Sequence, residues 1–564
     1  MTTGFLNGIL SNKFLPYLLT VLVWAGIYLP GLGVFELSFG ESRRVYPALT
    51  MMETGEWAVP VLEGEKYFKK PPMINWMIAG AFIATGQKSE LTARLPSALS
   101  ILVFISILML MDSGFLDLRT RFISSLIFLS SAGIIGKGLI CEIEAPYICF
   151  TGVAMISWLN LYSARAGNFK LWCIPGILLG ICLLIKGPIA LLFFYSMVFG
   201  VLYYEKRFKD TVFSWGHLVG IAIMLAMFVS WAVQAWPTDG GGAVVVSGDG
   251  ENVTGTWINE MLLQFKTGRI GIGLWFVRVG GSIANFLPWI VFIPLFFKSG
   301  KLIRDEKSLR IFKGCGVSIL ITFFIVNSMP GTKARYTMPL IPLATVLIGL
   351  LLSKIETEGG IVKIWGKITL SLSALVVLAC GILFSSVLIM KFAGAKIESL
   401  FSKSKDFVTV LNGLAQVDFT HAFLIFAIFA SAAFIFYQIF NHRREILSSS
   451  VSLVFIFSVL LVILMLNYPM FQPVVRNFEK FRPVAKIINE FIPSGETLMV
   501  YKIDCEPFFF YMKNPWTKVK TFPKDFTGYL VCPEEKFEDM FNRKRIKRED
   551  SFRINKTQYG IYEL

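Results

Sequence analysis

Acids, cations and aromatic rings recur in short polar stretches that interrupt an otherwise apolar chain. The first stretch reads Gly40-Glu41-Ser42-Arg43-Arg44, then Gly55-Glu56-Trp57 with Pro60, then Tyr67-Phe68-Lys69-Lys70-Pro71-Pro72. A second holds Cys141-Glu142-Ile143-Glu144, a third Lys186-Gly187-Pro188, and a fourth Lys333-Ala334-Arg335-Tyr336 ahead of Pro339. A carboxylate within hydrogen-bond reach of a hydroxyl takes its proton as a new bond forms. Fixed cations stabilise the negative charge that grows on a phosphate leaving group. Arg suits bidentate phosphate contact and Lys supplies a point charge. Charges at helix ends also snorkel, and aromatic residues form interfacial belts. Each residue alone therefore carries both readings, and the ordered set is what speaks for chemistry.

The elements that must position these residues follow from composition. Of 564 residues, 55% are hydrophobic and 16% charged, against about 25% charged in soluble domains. A water-soluble fold has no way to hide that much apolar surface. Apolar runs long enough to cross a bilayer as helices lie near 14–35, 95–112, 121–139, 146–163, 171–186, 188–204, 213–235, 284–298, 311–328, 338–353, 368–390, 420–440 and 449–468. The reading is thus an all-α polytopic membrane domain of about 13 spans. The net charge of +16 sits mainly in short loops between apolar runs, which points to anionic membrane lipid and away from nucleic acid.

Alternate loops are basic: Arg119 and Arg121, Arg165 and Lys170, Lys206 to Lys209, Lys298 to Lys313, Lys354 to Lys367, and His442 to Arg444. The positive-inside rule makes these loops and the N-terminus cytoplasmic. The 15 or so residues from Pro72 to Gly86 are short for a span; they are expected to lie as an interfacial helix, which also keeps the parity of the basic loops. The outward side then receives the first loop, 36–94, the acids Glu142 and Glu144, Lys186, the long loop 236–283, the turn at Lys333 and Arg335, and the tail. A membrane domain over 1–470 is followed by a small soluble α/β domain over 471–564, with helical spacing in 480–491 and strand-like stretches at 497–503 and 528–531. Six cysteines lie in or beside apolar segments as small core residues; Cys505 and Cys532 lie in the tail, where a disulfide is one reading.

The first loop resembles the first periplasmic loop of the ArnT-like and protein O-mannosyltransferase-like enzymes of the GT-C glycosyltransferase superfamily. Their pattern runs acid-acid-x-Arg-Tyr, a helix, Gly-Asp-Trp and Pro, then Tyr-Phe-Glu-Lys-Pro-Pro. Glu41 matches the second acid, Arg43 the Arg, Gly55-Glu56-Trp57 the middle, and Tyr67-Phe68-x-Lys70-Pro71-Pro72 the end. Cys141-Glu142-Ile143-Glu144, Lys186-Gly187-Pro188 and Arg94-Leu95-Pro96 follow in family order. Two departures stand out. Gly40 occupies the place of the usual catalytic aspartate, and Lys69 the place of a glutamate.

The resemblance implies a GT-C fold and transfer of a sugar from a polyprenyl-phosphate carrier, in the inner membrane with the tail periplasmic. The acceptor classes are lipid A, another glycolipid or a protein hydroxyl. Glu41 becomes the expected catalytic base, with Glu144 or Glu142 holding sugar or acceptor hydroxyls. Arg43, Lys70, Lys186, Lys333 and Arg335 become the donor-phosphate cations, and Tyr67 a substrate contact. Opposite-face attack on the activated donor would invert the anomeric carbon. No cofactor is expected. Only three histidines occur, which disfavours a zinc-type site; an all-oxygen divalent site from Glu41, Glu142 and Glu144 is the alternative. A polytopic transporter or lipid flippase is the rival class, yet the charges gather in outer loops instead of mid-span, where a transported substrate would need them.

Overall fold

The apolar runs fold as helices that pack side by side. The computed structural model describes residues 12–354 apart from 63, 68–69, 112–114 and 236–270, isolated positions and short runs between 371 and 437, and residues 479–564 apart from 504–505, 520–525, 541–544 and 555–556. In chain order the helices are α1 (Phe14–Tyr28), α2 (Phe39–Thr54), α3 (Met73–Thr85), α4 (Glu90–Leu110), α5 (Leu118–Leu129), α6 (Ala132–Gly138), α7 (Glu144–Ser163), α8 (Asn168–Lys186), α9 (Ile189–Glu205), α10 (Trp215–Gln234), α11 (Ile272–Ala284), α12 (Glu306–Ser328) and α13 (Ile341–Lys354). A two-residue-strand hairpin, β1 (Val61–Leu62) and β2 (Glu65–Lys66), links α2 to α3.

Among the described residues, α4, α8, α10, α12 and the helical stretch Ala334–Lys354 are long and apolar enough to cross a membrane. The expected spans 368–390, 420–440 and 449–468 fall wholly or mostly outside the described residues. Caps set several boundaries. Ser89 accepts from the Thr92 N–H at the start of α4, Asp117 from the Thr120 N–H at α5, and Asp305 from the Ser308 N–H at α12, each satisfying a backbone donor the helix itself leaves open. Helices come together where glycine removes the side chain between them. A Cβ on Gly176 of α8 would lie 2.5 Å from the Gly220 carbonyl oxygen of α10, and one on Gly314 of α12 would lie 2.7 Å from that of Gly200 in α9. Small residues at such crossings let backbones approach in a bilayer, where apolar burial alone gives helices little reason to associate.

Two expected spans are broken. The run 121–139 bends by 63° between α5 and α6, because Ser130 and Ser131 turn their hydroxyls back onto the Leu126 and Ile127 carbonyls, a known way for serine to disrupt a helix. The N–H groups of Ala132 and Gly133 then donate to the carbonyls of Leu287 and Asn285. The run 284–298 is likewise no single helix. α11 begins at Ile272, and a 3-10 stretch, Trp289–Lys298, follows it with a 93° bend measured to Phe297. Trp289 donates to the Ser130 hydroxyl at 3.1 Å, so the two breaks support each other. The helix over 73–85 is present, packed against α2 and α4.

The tail folds as α14 (Phe481–Phe491) against a five-stranded sheet of order β4-β3-β5-β7-β6, comprising β3 (Leu498–Tyr501), β4 (Trp516–Val519), β5 (Tyr529–Pro533), β6 (Arg548–Ile554) and β7 (Thr557–Glu563). β3 runs parallel to β4 and β5; β7 runs antiparallel to β5 and β6. The strands expected near 497–503 and 528–531 are β3 and β5, while β4, β6 and β7 were not anticipated. Cys532 is a buried thiol in β5, and Cys505 lies outside the described residues.

The tail is joined to the first loop by shared packing. Tyr46 of α2 is buried in one core with Ile488, Phe508 and Val531 of the tail, and its hydroxyl donates to the Glu506 carbonyl at 2.6 Å. Glu36 accepts from the backbone N–H groups of Lys480, Phe481 and Arg482, so a carboxylate meets the open donors and positive dipole at the start of α14.

Candidate active site

The site is built outward from the first turn of α2. Ser38 and Glu41 form a capping box in which the Ser38 N–H donates to Glu41 Oε2 at 2.8 Å. Arg94 of α4 then grips the same carboxylate: Nε donates to Oε1 at 2.7 Å and a terminal nitrogen to Oε2 at 3.1 Å. Its remaining donors reach the carbonyls of Leu32, Phe35 and Glu36. Glu41 Oε1 also accepts from the Cys141 N–H at 3.0 Å. Glu41 is 1% exposed and Arg94 2%. Burial pushes the Glu41 carboxyl up, and the bonds and charge of Arg94 with the two backbone N–H groups outweigh it and leave its pKa below the ordinary carboxylate value.

Glu41 is the base expected from the sequence. A base needs an oxygen that reaches the acceptor, whereas both oxygens of Glu41 are committed inside the protein. Through the Cys141 N–H it is tied to the loop that carries the other two acids.

Those acids stand in a different setting. Glu142 is partly exposed and its Oε2 meets Lys137 Nζ at 2.5 Å. Its Oε1 lies 2.9 Å from where a Cβ on Gly40 would stand, so the carboxylate occupies the space that a side chain at position 40 would need. Glu144, which opens α7, lies beside Glu142 and meets Lys186 Nζ at 3.5 Å and Arg335 Nε at 3.1 Å. Lys186, the last residue of α8, is further held over the rings of Tyr336 and Tyr147, at 4.6 and 5.3 Å. Three cations thus face two carboxylates, and the charge of Lys70 also acts on Lys186. The cluster keeps a net positive charge suited to an anion.

The other expected residues are spread around it. Arg43 is exposed and stacks on Phe39 at 4.4 Å. Lys333 is exposed at the head of the 3-10 turn Ala334–Leu340 that carries Arg335. Tyr67 lies beneath the Arg44 guanidinium at 5.9 Å. Lys69 lies outside the described residues. Among the described residues no three His, Cys, Asp or Glu side chains gather as metal ligands, and Lys137, Lys186 and Arg335 already engage the Glu142 and Glu144 oxygens.

Sequence reasoning passed over Lys137, Tyr147 and the pairing of Arg94 with Glu41. Ser38-x-x-Glu41 is a local capping-box signal that places Glu41 in the first turn of α2. Tyr147 sits three residues after Glu144 on the same helical face. Nothing local announces Lys137.

Apolar helices packed side by side, a charged cluster and a small α/β tail make up the described molecule. Solved structures agree: the chain is similar to ArnT from Cupriavidus metallidurans bound to undecaprenyl phosphate, with a TM-score of 0.67 and 15% identity over 97% of both chains. The apo form of that protein gives 0.66 over the same shares. The family model for dolichyl-phosphate-mannose-protein mannosyltransferase matches residues 69–233. Relatives include an undecaprenyl phosphate-alpha-4-amino-4-deoxy-L-arabinose arabinosyl transferase of Pseudomonas fluorescens, 24% identical over 61% of each chain, and one of Shewanella sediminis, 24% identical over 64% of each. The alignments therefore span less than two thirds of these relatives' own length. The chain shares the fold of the ArnT structures.

Proposed function

We propose that this protein transfers a sugar from a polyprenyl-phosphate carrier to an acceptor at the outer face of the inner membrane. The observation that carries the reading is the net-positive cluster of Lys137, Lys186 and Arg335 around Glu142 and Glu144, at one end of a fold shared with a protein solved with undecaprenyl phosphate. In the proposed step an acceptor oxygen attacks the anomeric carbon, the bond from that carbon to the carrier phosphate breaks, and the electron pair leaves on the phosphate. Lys186 and Arg335, helped by Lys70, Lys333 and Arg43, neutralise that charge. Glu142 takes the proton when the acceptor is a hydroxyl, because it is the partly exposed acid of the pair. Glu144 orients the cations and sugar hydroxyls. Tyr67 is retained as a substrate contact. Attack opposite the leaving phosphate inverts the anomeric carbon.

A phosphate acceptor such as that of lipid A is already largely anionic at neutral pH, since its second pKa is near 6, so the base matters less for it. The size of the loss in Glu142→Gln thus reports on the acceptor class. The thirteen-span topology, with the N-terminus cytoplasmic and the first loop and tail periplasmic, is part of the same proposal. It is supported by the basic loops and by the core that Tyr46 shares with the tail, since segments packed together must lie on one side of the membrane. Mass spectrometry of lipid A, glycolipids and envelope proteins from cells with and without the gene tests the function. A sugar lost from one of these classes on deletion, and restored by the wild-type gene, is the expected result; identical spectra from all three classes would overturn it.

A further inference from the structure

A cleft that shares no lining residue with the cation cluster lies between the later turns of α2 and the tail, with a volume of about 750 Å³. That size falls within the ordinary range for small-ligand sites. Its wall is aromatic and braced: Trp516 stacks on Phe509 at 4.2 Å and meets Tyr46 edge-on at 6.2 Å. Its rim carries Lys88, Lys513 and Lys518 against a single acid, Glu53, which Lys88 approaches at 3.9 Å. Of these rings Trp516 is partly exposed and offers apolar surface to a sugar, and lysines supply point charges for phosphate. Glu53 lies twelve residues beyond Glu41 on α2, which at the helical rise places the cleft's far edge roughly 18 Å along the helix from the first turn.

We propose that this cleft binds a phosphorylated saccharide headgroup of the glycolipid acceptor, gripping the end of the headgroup that does not react. The inference rests on the transfer reading and adds an acceptor subsite to it. Binding energy from a remote part of a substrate fixes the reacting end in place, and the shared core of α2 and the tail gives that anchor a rigid frame.

The test uses full-length protein in nanodiscs and glucose 1-phosphate as probe, with glucose and inorganic phosphate as controls. Because the cation cluster also attracts phosphate, binding is measured in a Lys186→Gln background with and without Lys513→Gln and Lys518→Gln. The expected result is glucose 1-phosphate binding that persists in Lys186→Gln and weakens at least about tenfold when the two cleft lysines are changed, a loss of one charge-assisted contact or more. Equal binding of inorganic phosphate and glucose 1-phosphate, or affinity indifferent to Lys513 and Lys518, overturns the subsite. A transfer assay separates the two claims. With a phosphorylated glycolipid acceptor the cleft variants should raise the acceptor KM about tenfold at unchanged kcat. Wild-type turnover with unchanged KM in the variants removes the cleft alone, whereas no carrier release by wild type with any acceptor removes the transfer reading.

Discussion

Glu41 and Arg94 form a two-pronged ion pair, at 2.7 and 3.1 Å, with both side chains almost wholly buried. Removing one partner of a buried pair strands the other charge, which typically costs about 3–5 kcal/mol. Glu41→Gln is therefore expected to lower thermal stability in detergent markedly and to lose activity in proportion to folded protein lost. Were it a base, kcat would fall about 10²- to 10⁴-fold with stability intact. Melting curves alongside rates per folded molecule separate the two, and an intact melting curve with a collapsed kcat would return the base role to Glu41.

The same pair sets a pH dependence. The folded pKa of Glu41 lies below its ordinary value of 4.5, so its contribution is fully present above about 4.5 and is lost as pH falls through the folded value. The gap in melting temperature between wild type and Glu41→Gln should be widest near neutrality and narrow below pH 4.5. A gap that widens on acidification would contradict the pairing.

Gly40 gives a sharper probe of Glu142. Alanine at position 40 suits a helix better than glycine by about 1 kcal/mol, yet its Cβ would stand 2.9 Å from Glu142 Oε1 and push that carboxylate aside. With a hydroxyl acceptor, Gly40→Ala should leave the melting temperature equal or raised while initial transfer rate drops about 10- to 100-fold, the scale for a misplaced catalytic group. Unchanged transfer to a hydroxyl acceptor at unchanged stability would show that Glu142 is not the base.

The sequence made most helices legible, because an apolar run long enough to cross a bilayer has few alternatives to a helix. It did not show the breaks at Ser130 and Trp289, since the carbonyls of Asn285 and Leu287 that receive the freed N–H groups lie more than 150 residues away from them. The charged residues of the site were legible by type and order; which of them pair was not. Whether Glu41 is buried depends on Arg94, 53 residues on, and only the short-range box with Ser38 hinted at it. Gly40 was visible as a departure, but that Glu142 fills its space emerges only when the two loops are brought together by the Glu41 to Cys141 hydrogen bond.

The most direct measurement is the initial rate of carrier phosphate release from a panel of undecaprenyl-phosphate-linked sugar donors, with lipid A as acceptor. Wild type is compared with an Arg335→Ala, Lys186→Gln double variant at matched levels of folded protein. The proposed chemistry predicts acceptor-dependent release by wild type and a loss of at least about 10²-fold in the double variant, the scale for removing a charge-stabilising donor. Release that is equal in both proteins, or absent from folded wild type with lipid A, glycolipid and protein acceptors alike, would contradict it.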